Sequence, residues 1–194
     1  MKETRQQILG MPVDAIDMDR AMVAIDGSLA AGIRRRTVLA MNPEKVFALE
    51  KDPQLRAVFD EAYLVLPDGI GVVAGLRFLH SIPVGRVPGA DLMQRLCGLA
   101  ALRGYRVFLY GAKEAVNRGA AEELMRRNPG LQIVGRQDGY LPEDQMGELV
   151  ARINAVRPDL LFVAMGSPRQ ELWMQRWLPQ LDVGICQGIG GTLD

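Results

Sequence analysis

The stretch PDLLFVAMGSPRQE, Pro158–Glu171, decides the fold. Leu160–Met165 is an unbroken apolar run of strand length, with no alternation of polar and apolar residues. Such a run belongs to a strand buried on both faces, as in a parallel sheet. Gly166 then breaks it. Ser167-Pro168-Arg169-Gln170 reads as a helix start, with Ser at the N-cap, Pro at the first helical position and Gln three residues after the Ser. The spacing predicts a helix over Pro168–Trp177. An apolar strand, a tight turn and a helix make one βα unit.

The same unit recurs on either side. Upstream, Thr37–Met41, Ala62–Leu66, Arg106–Tyr110 and Leu131–Gly135 read as strands, and Val183–Gln187 follows as the last. Helices are expected over Asp19–Leu29, Pro43–Lys51, Ile70–Leu79, Ala90–Arg103, Glu114–Arg127 and Asp144–Val156. In the last of these, Met146, Leu149, Val150, Ile153 and Val156 recur at helical spacing. Strands alternating with helices predict an α/β, Rossmann-like sandwich whose mostly parallel sheet is covered by helices on both faces. Ile8–Leu9 and Val13–Ile16, around Gly10-Met11-Pro12, suggest a small N-terminal β-hairpin. No linker or repeat divides the 194 residues, so 1–194 reads as one domain.

Composition narrows the function. Lys plus Arg and Asp plus Glu both total 23, so no net positive charge suits nucleic acid. Cys97, Cys186 and the single His80 are too few for a four-ligand zinc site. Both cysteines read as buried thiols of a reducing compartment. The N-terminus lacks the apolar region of a signal peptide, and no apolar run is long enough to span a bilayer. A cytoplasmic protein is expected.

Parallel sheets bind ligands beyond the carboxyl ends of their strands. Asp68 stands there, either as a helix N-cap or as a carboxylate able to accept a proton in the cleft. Asn42-Pro43-Glu44 has the same double reading, with helix-start chemistry favoured. Arg169 and Gln170 at a helix start suit a phosphate. Asp17-Met18-Asp19 is a D-x-D triplet, better explained as a helix start than as a metal site. Trp173 and Trp177, four apart, read as packing residues. No P-loop and no dinucleotide fingerprint is present, which disfavours a nucleotide hydrolase and an oxidoreductase.

Taken together, three N-terminal strings form a signature. They are Asn42-Pro43-Glu44-Lys45-Val46, Leu66-Pro67-Asp68-Gly69-Ile70-Gly71 and Arg86-Val87-Pro88-Gly89-Ala90-Asp91. Asp138-Gly139-Tyr140, Pro158–Glu171 and Gly188-Ile189-Gly190-Gly191-Thr192-Leu193-Asp194 follow in order. From about Gly10 to Asp194 the chain resembles the WecG/TagA/CpsF glycosyltransferases. The resemblance implies an inverting, metal-independent transferase without a cofactor. It would move N-acetylmannosamine or a related hexose from a UDP-sugar to a polyprenyl-diphosphate-linked saccharide, at the inner face of the membrane, in cell-surface polysaccharide synthesis.

By the same resemblance Asp68 is the catalytic base. Asn42 and Gln170 would line the sugar or diphosphate pocket, with Arg86 nearby as a further substrate-binding residue, and Tyr140 and Asp194 would hold the uridine. Two departures stand out. Family members often carry Thr where this chain has Ala40, and they continue past Asp194 into an arginine-bearing segment, so a shortened chain with weak transfer is expected. A nucleotide-binding module without transferase activity is the alternative, and homo-oligomerisation stays open.

Overall fold

The computed structural model describes residues 5–193. Strand β1 (Arg5–Ile8) pairs antiparallel with β2 (Met11–Asp14). Helix α1 (Met18–Ala30) then leads into β3 (Arg36–Met41), α2 (Pro43–Lys51), α3 (Pro53–Glu61) and β4 (Leu64–Pro67). Next come α4 (Ile70–His80), α5 (Gly89–Arg103), β5 (Arg106–Gly111), α6 (Glu114–Arg127) and β6 (Gln132–Gln137). The chain continues through α7 (Met146–Val156), β7 (Leu160–Ala164), α8 (Arg169–Trp177) and β8 (Ile185–Gly188). The six strands β3–β8 form one sheet in the order β4-β3-β8-β7-β5-β6, and every neighbouring pair is parallel. The expected α/β sandwich is what forms.

Side-chain alternation along the strands divides the core in two. Leu39, Met41, Phe108, Tyr110, Leu161, Val163 and Cys186 point to the face covered by the hairpin, α2, α3, α4, α7 and α8. Val38, Leu64, Leu66, Val107, Leu109, Leu160, Phe162 and Ile185 point to the face covered by α1, α5 and α6. Two packed faces explain why these strands lack the polar alternation of a half-wetted sheet.

Three expectations need correction. The hairpin lies N-terminal of its expected place: Leu9 and Gly10 form its two-residue turn, with φ of 49° and 77°. Positive φ at both positions is what a type I′ turn demands. The hairpin is anchored by Asp14, whose carboxylate accepts from Arg5 Nε and Nη2 at 2.9 Å each and from the Val65 N–H at 2.7 Å. Helix α3 was not expected. Asp52 caps it through the N–H groups of Gln54 and Leu55, and Leu55, Val58 and Phe59 are its buried face.

The third correction concerns the start of α8. Ser167 is exposed and makes no cap; Pro168 is the N-cap residue, without a side-chain bond. The Gln170 amide that would complete the box turns inward, where Gly190 and Glu171 hold it. By contrast Asp17 caps α1, accepting from the Arg20 N–H at 2.8 Å, so the D-x-D triplet is a helix start.

Candidate functional site

The carboxyl ends of all six strands open on one side of the sheet. At the end of β4, Asp68 does not cap the helix that follows it. Gly69 is the N-cap residue of α4 and provides no side-chain bond. Instead the Asp68 carboxylate is clamped from the next loop. Oδ1 accepts from Arg86 Nε and lies 3.1 Å from Nη2, while Oδ2 accepts from the Gly89 N–H at 3.2 Å, the first residue of α5. Its side chain is 22% exposed. A partly open carboxylate at a strand end, facing the cleft, can accept a proton from a hydroxyl placed against its open side.

The clamp has a support beneath it. Gln187 on β8 is buried, and its Nε2 donates to the Gly89 carbonyl at 2.8 Å. The same peptide segment therefore receives Gln187 on one side and holds Asp68 on the other. Ala40, Gln187 and Asp68 all approach Gly89 closely, so β3, β8 and β4 converge on this point. The Gln187 Oε1 has no hydrogen-bond partner among the described residues.

Asn42 caps α2 through Oδ1, which accepts from the Lys45 N–H at 2.9 Å. The helix-start reading holds. Its neighbour Pro43 packs on Gly69, where any side chain would collide with the proline ring. That contact brings Asn42 and Asp68 to adjacent strand ends.

Helix α8 links this cluster to the other half of the sheet. Gln170 and Glu171 are both buried. Gln170 Oε1 accepts from the Gly190 N–H at 2.9 Å, and its Nε2 donates to Glu171 Oε1 at 3.1 Å. Lys45 Nζ, from α2, reaches the same Glu171 oxygen at 2.9 Å. Gly188 makes room for this, since a Cβ there would sit 2.8 Å from Gln170 Nε2.

Beyond Gln170 lies a cleft of about 440 Å³ over the ends of β5, β6, β7 and β8. Ala112, Lys113, Tyr140, Arg169 and Gly190–Gly191 line it. Gly111, just before the lining residue Ala112, has a φ of 122° and is pressed against the Ala164 backbone where no side chain fits. Buried Asn117 braces the rim, donating to the carbonyls of Gly111 at 2.9 Å and Gln137 at 3.1 Å. Asp138 Oδ1 accepts from the Tyr140 N–H at 2.9 Å and so shapes the turn that presents the Tyr140 ring, 68% exposed. The concave, polar-edged shape beside a helix start suits a nucleoside diphosphate.

The structure thus gathers Asp68, Arg86 and Asn42 at one end, Tyr140 and Arg169 at the other, and Gln170 between them. Asp194 lies outside the described residues. Lys45, Glu171, Gln187 and Asn117 were not singled out from sequence. Only the polar Gln187 within an otherwise apolar strand offered a signal.

The other candidates are structural. His80 Nε2 lies 2.8 Å from the Gln7 carbonyl. Trp173 is buried against Tyr110, ring centroids 4.7 Å apart. Cys97 and Cys186 are buried and unpaired, and burial pushes the Cys97 thiol up to about 12 and Cys186 higher still. Among the described residues, no cluster of three or more His, Cys, Asp or Glu could hold a metal ion, and no helix is long and apolar enough to cross a membrane.

Comparison with known proteins adds two findings. The profile of the glycosyl transferase WecG/TagA/CpsF family matches residues 6–194. A Bacillus subtilis (strain 168) protein, N-acetylglucosaminyldiphosphoundecaprenol N-acetyl-beta-D-mannosaminyltransferase, is 34% identical over 158 residues, which is 81% of this chain. The matched region spans 60% of that relative's length.

Proposed function

The chain belongs to the WecG/TagA/CpsF glycosyltransferase family, and from that premise we propose that it transfers N-acetylmannosamine or a related hexose from a UDP-sugar to a saccharide carried on a polyprenyl diphosphate. The printed activity of the Bacillus subtilis relative supports this reading. The observation that carries it is the placement of Asp68: a carboxylate at a strand end, held by Arg86 and the Gly89 N–H.

The reaction is a single displacement. Asp68 takes the proton of the acceptor hydroxyl as its oxygen attacks the anomeric carbon. The bond from that carbon to the diphosphate oxygen breaks on the opposite face, and its electron pair leaves with UDP. One displacement inverts the configuration and needs one base. Tyr140 offers its exposed ring to the uracil, and Arg169 with the positive end of α8 meets the charge growing on the diphosphate. Asn42 contacts the donor sugar between these two ends, while buried Gln170 acts from beneath by fixing the Gly190 loop. We assign Asp194 to the uridine by family resemblance alone. No divalent metal is required in this scheme, and activity in EDTA tests that part. A polyprenyl-linked acceptor places the protein at the inner surface of the membrane.

The test is a donor screen by thermal shift. A ligand at roughly a hundredfold its Kd stabilises by about 2.7 kcal/mol. UDP and UDP-N-acetylmannosamine should raise the Tm and NAD should not. A shift with NAD and none with UDP overturns the proposal.

A further inference from the structure

We propose that the buried Lys45–Glu171 pair positions the wall of the donor cleft: it aims the Gln170 amide, and through that amide it holds the Gly190–Gly191 turn. This rests on the reading of the cleft as the donor site. Lys45 stands in the first turn of α2 and Glu171 in the first turn of α8. Their side chains meet at 2.9 Å, withdrawn from water. Stability alone does not account for such a pair. Two buried opposite charges can often be exchanged for apolar side chains of similar volume without loss. What apolar side chains would lack here is an acceptor for Gln170.

Hydrogen-bond chemistry makes that acceptor decisive. The buried Gln170 side chain lies between a backbone N–H, which can only donate, and a carboxylate, which accepts. A glutamine so placed has one orientation: Oε1 to the Gly190 N–H at 2.9 Å, and Nε2 to Glu171 Oε1 at 3.1 Å. Turned over, the amide would set N–H against N–H and oxygen against oxygen. Lys45 donates to the same Glu171 oxygen from α2 and fixes where it lies. A Cβ on Gly188 would sit 2.8 Å from Gln170 Nε2 and 3.2 Å from Met174 Cε, so the amide has little room to swing.

The turn needs such a hold. Gly190 has a φ of 60°, and neither it nor Gly191 carries a side chain that packing could grip. Glycine has the most backbone freedom to lose on ordering. Both glycines line the cleft, so the placement of their turn sets the space left for a ligand. Arg169 lines the cleft too, and the burial of its neighbours Gln170 and Glu171 fixes the rotation of α8 that presents it. Neither Lys45 nor Glu171 lines the cleft, so both act through Gln170.

The experiment compares variants of the full-length protein by two readouts, UDP affinity from titration calorimetry and hydrogen exchange at the Gly190 amide from NMR. Lys45→Met/Glu171→Met exchanges the ion pair for two apolar side chains and removes the acceptor. UDP should bind roughly fivefold more weakly and the Gly190 amide should exchange at least about fivefold faster, the scale of one lost hydrogen bond. Lys45→Met/Glu171→Gln returns an acceptor oxygen to Gln170 and should restore both readouts to within about twofold. Gln170→Met, with the ion pair intact, should weaken UDP as much, and adding the apolar pair to it should cost nothing more.

A merely structural pair would lower the Tm of Lys45→Met/Glu171→Met and leave UDP affinity and Gly190 exchange as they are. That result overturns the proposal. So does a loss of UDP affinity that adds in full on top of Gln170→Met. Should the apolar pair not fold, Gln170→Met still decides: unchanged UDP affinity there overturns the proposal. A wild-type protein that does not bind UDP, yet exchanges Gly190 faster in Lys45→Met/Glu171→Met, keeps the positioning pair and loses the donor-site reading.

Discussion

Lys45→Met should be among the most damaging single changes on α2, and its size can be worked from the geometry. The Lys45 ammonium is 2.9 Å from Glu171 Oε1, with side-chain exposures of 13% and 0%. Glu171 Oε2 has no hydrogen-bond partner among the described residues. Methionine keeps most of the lysine stem but leaves the carboxylate buried with only the Gln170 amide beside it. Removing one member of a buried pair typically costs about 3–5 kcal/mol. The surviving Gln170 bond argues for the lower end, about 3 kcal/mol. The lost ammonium also sits 5.6 Å from the Phe59 ring centroid, a contact worth roughly 0.5–1 kcal/mol. For a chain of this size 3 kcal/mol lowers the Tm by roughly 6–12 °C. Urea unfolding of Lys45→Met, Glu171→Gln and the double variant closes the cycle. The double variant should recover much of the loss, because both charges have gone and the amide still receives Gln170. A Lys45→Met loss below about 1 kcal/mol, with no coupling in the cycle, would refute the reasoning.

Three further outcomes are expected. Tyr140→Ala should weaken UDP binding by about 1–3 kcal/mol, the range for a base stacked on an aromatic ring, and titration calorimetry reads this directly. Gln187→Met removes the donation to Gly89 and with it the aim of the N–H on Asp68; turnover should fall roughly fivefold, the equivalent of about 1 kcal/mol, with UDP affinity unchanged. Neither Cys97 nor Cys186 should react with a thiol reagent at pH 8 in the native protein, and both should react once urea unfolds it. Burial holds both thiols protonated well above pH 8.

The legible parts of the fold were those governed by local chemistry. Helices over Pro43–Lys51 and Glu114–Arg127 have the expected bounds because Asn42-Pro43 starts one and Asn128-Pro129 stops the other. Helix α3 is not among the expected helices, although Asp52-Pro53 is a helix-start pattern of the same kind as Asn42-Pro43. The α8 cap was misread because a capping box is a local pattern. Gln170 answers instead to Gly190, twenty residues on and brought near by β8. The same limit applies to the site. Family resemblance and position after a strand pointed to Asp68, but its partners come from the loop before α5. Glu171 and Lys45 are 126 residues apart, and nothing local to either announces the pair.

The central claim is that Asp68 is the base of a sugar transfer. Single-turnover transfer by the full-length protein, from UDP-N-acetylmannosamine to a synthetic lipid-diphosphate N-acetylglucosamine, tests it most directly. Asp68→Asn should lower the rate by at least about a hundredfold, the range expected for loss of general base catalysis, while UDP affinity and fold are retained. An Asp68→Asn protein that transfers sugar at close to the wild-type rate would contradict the account.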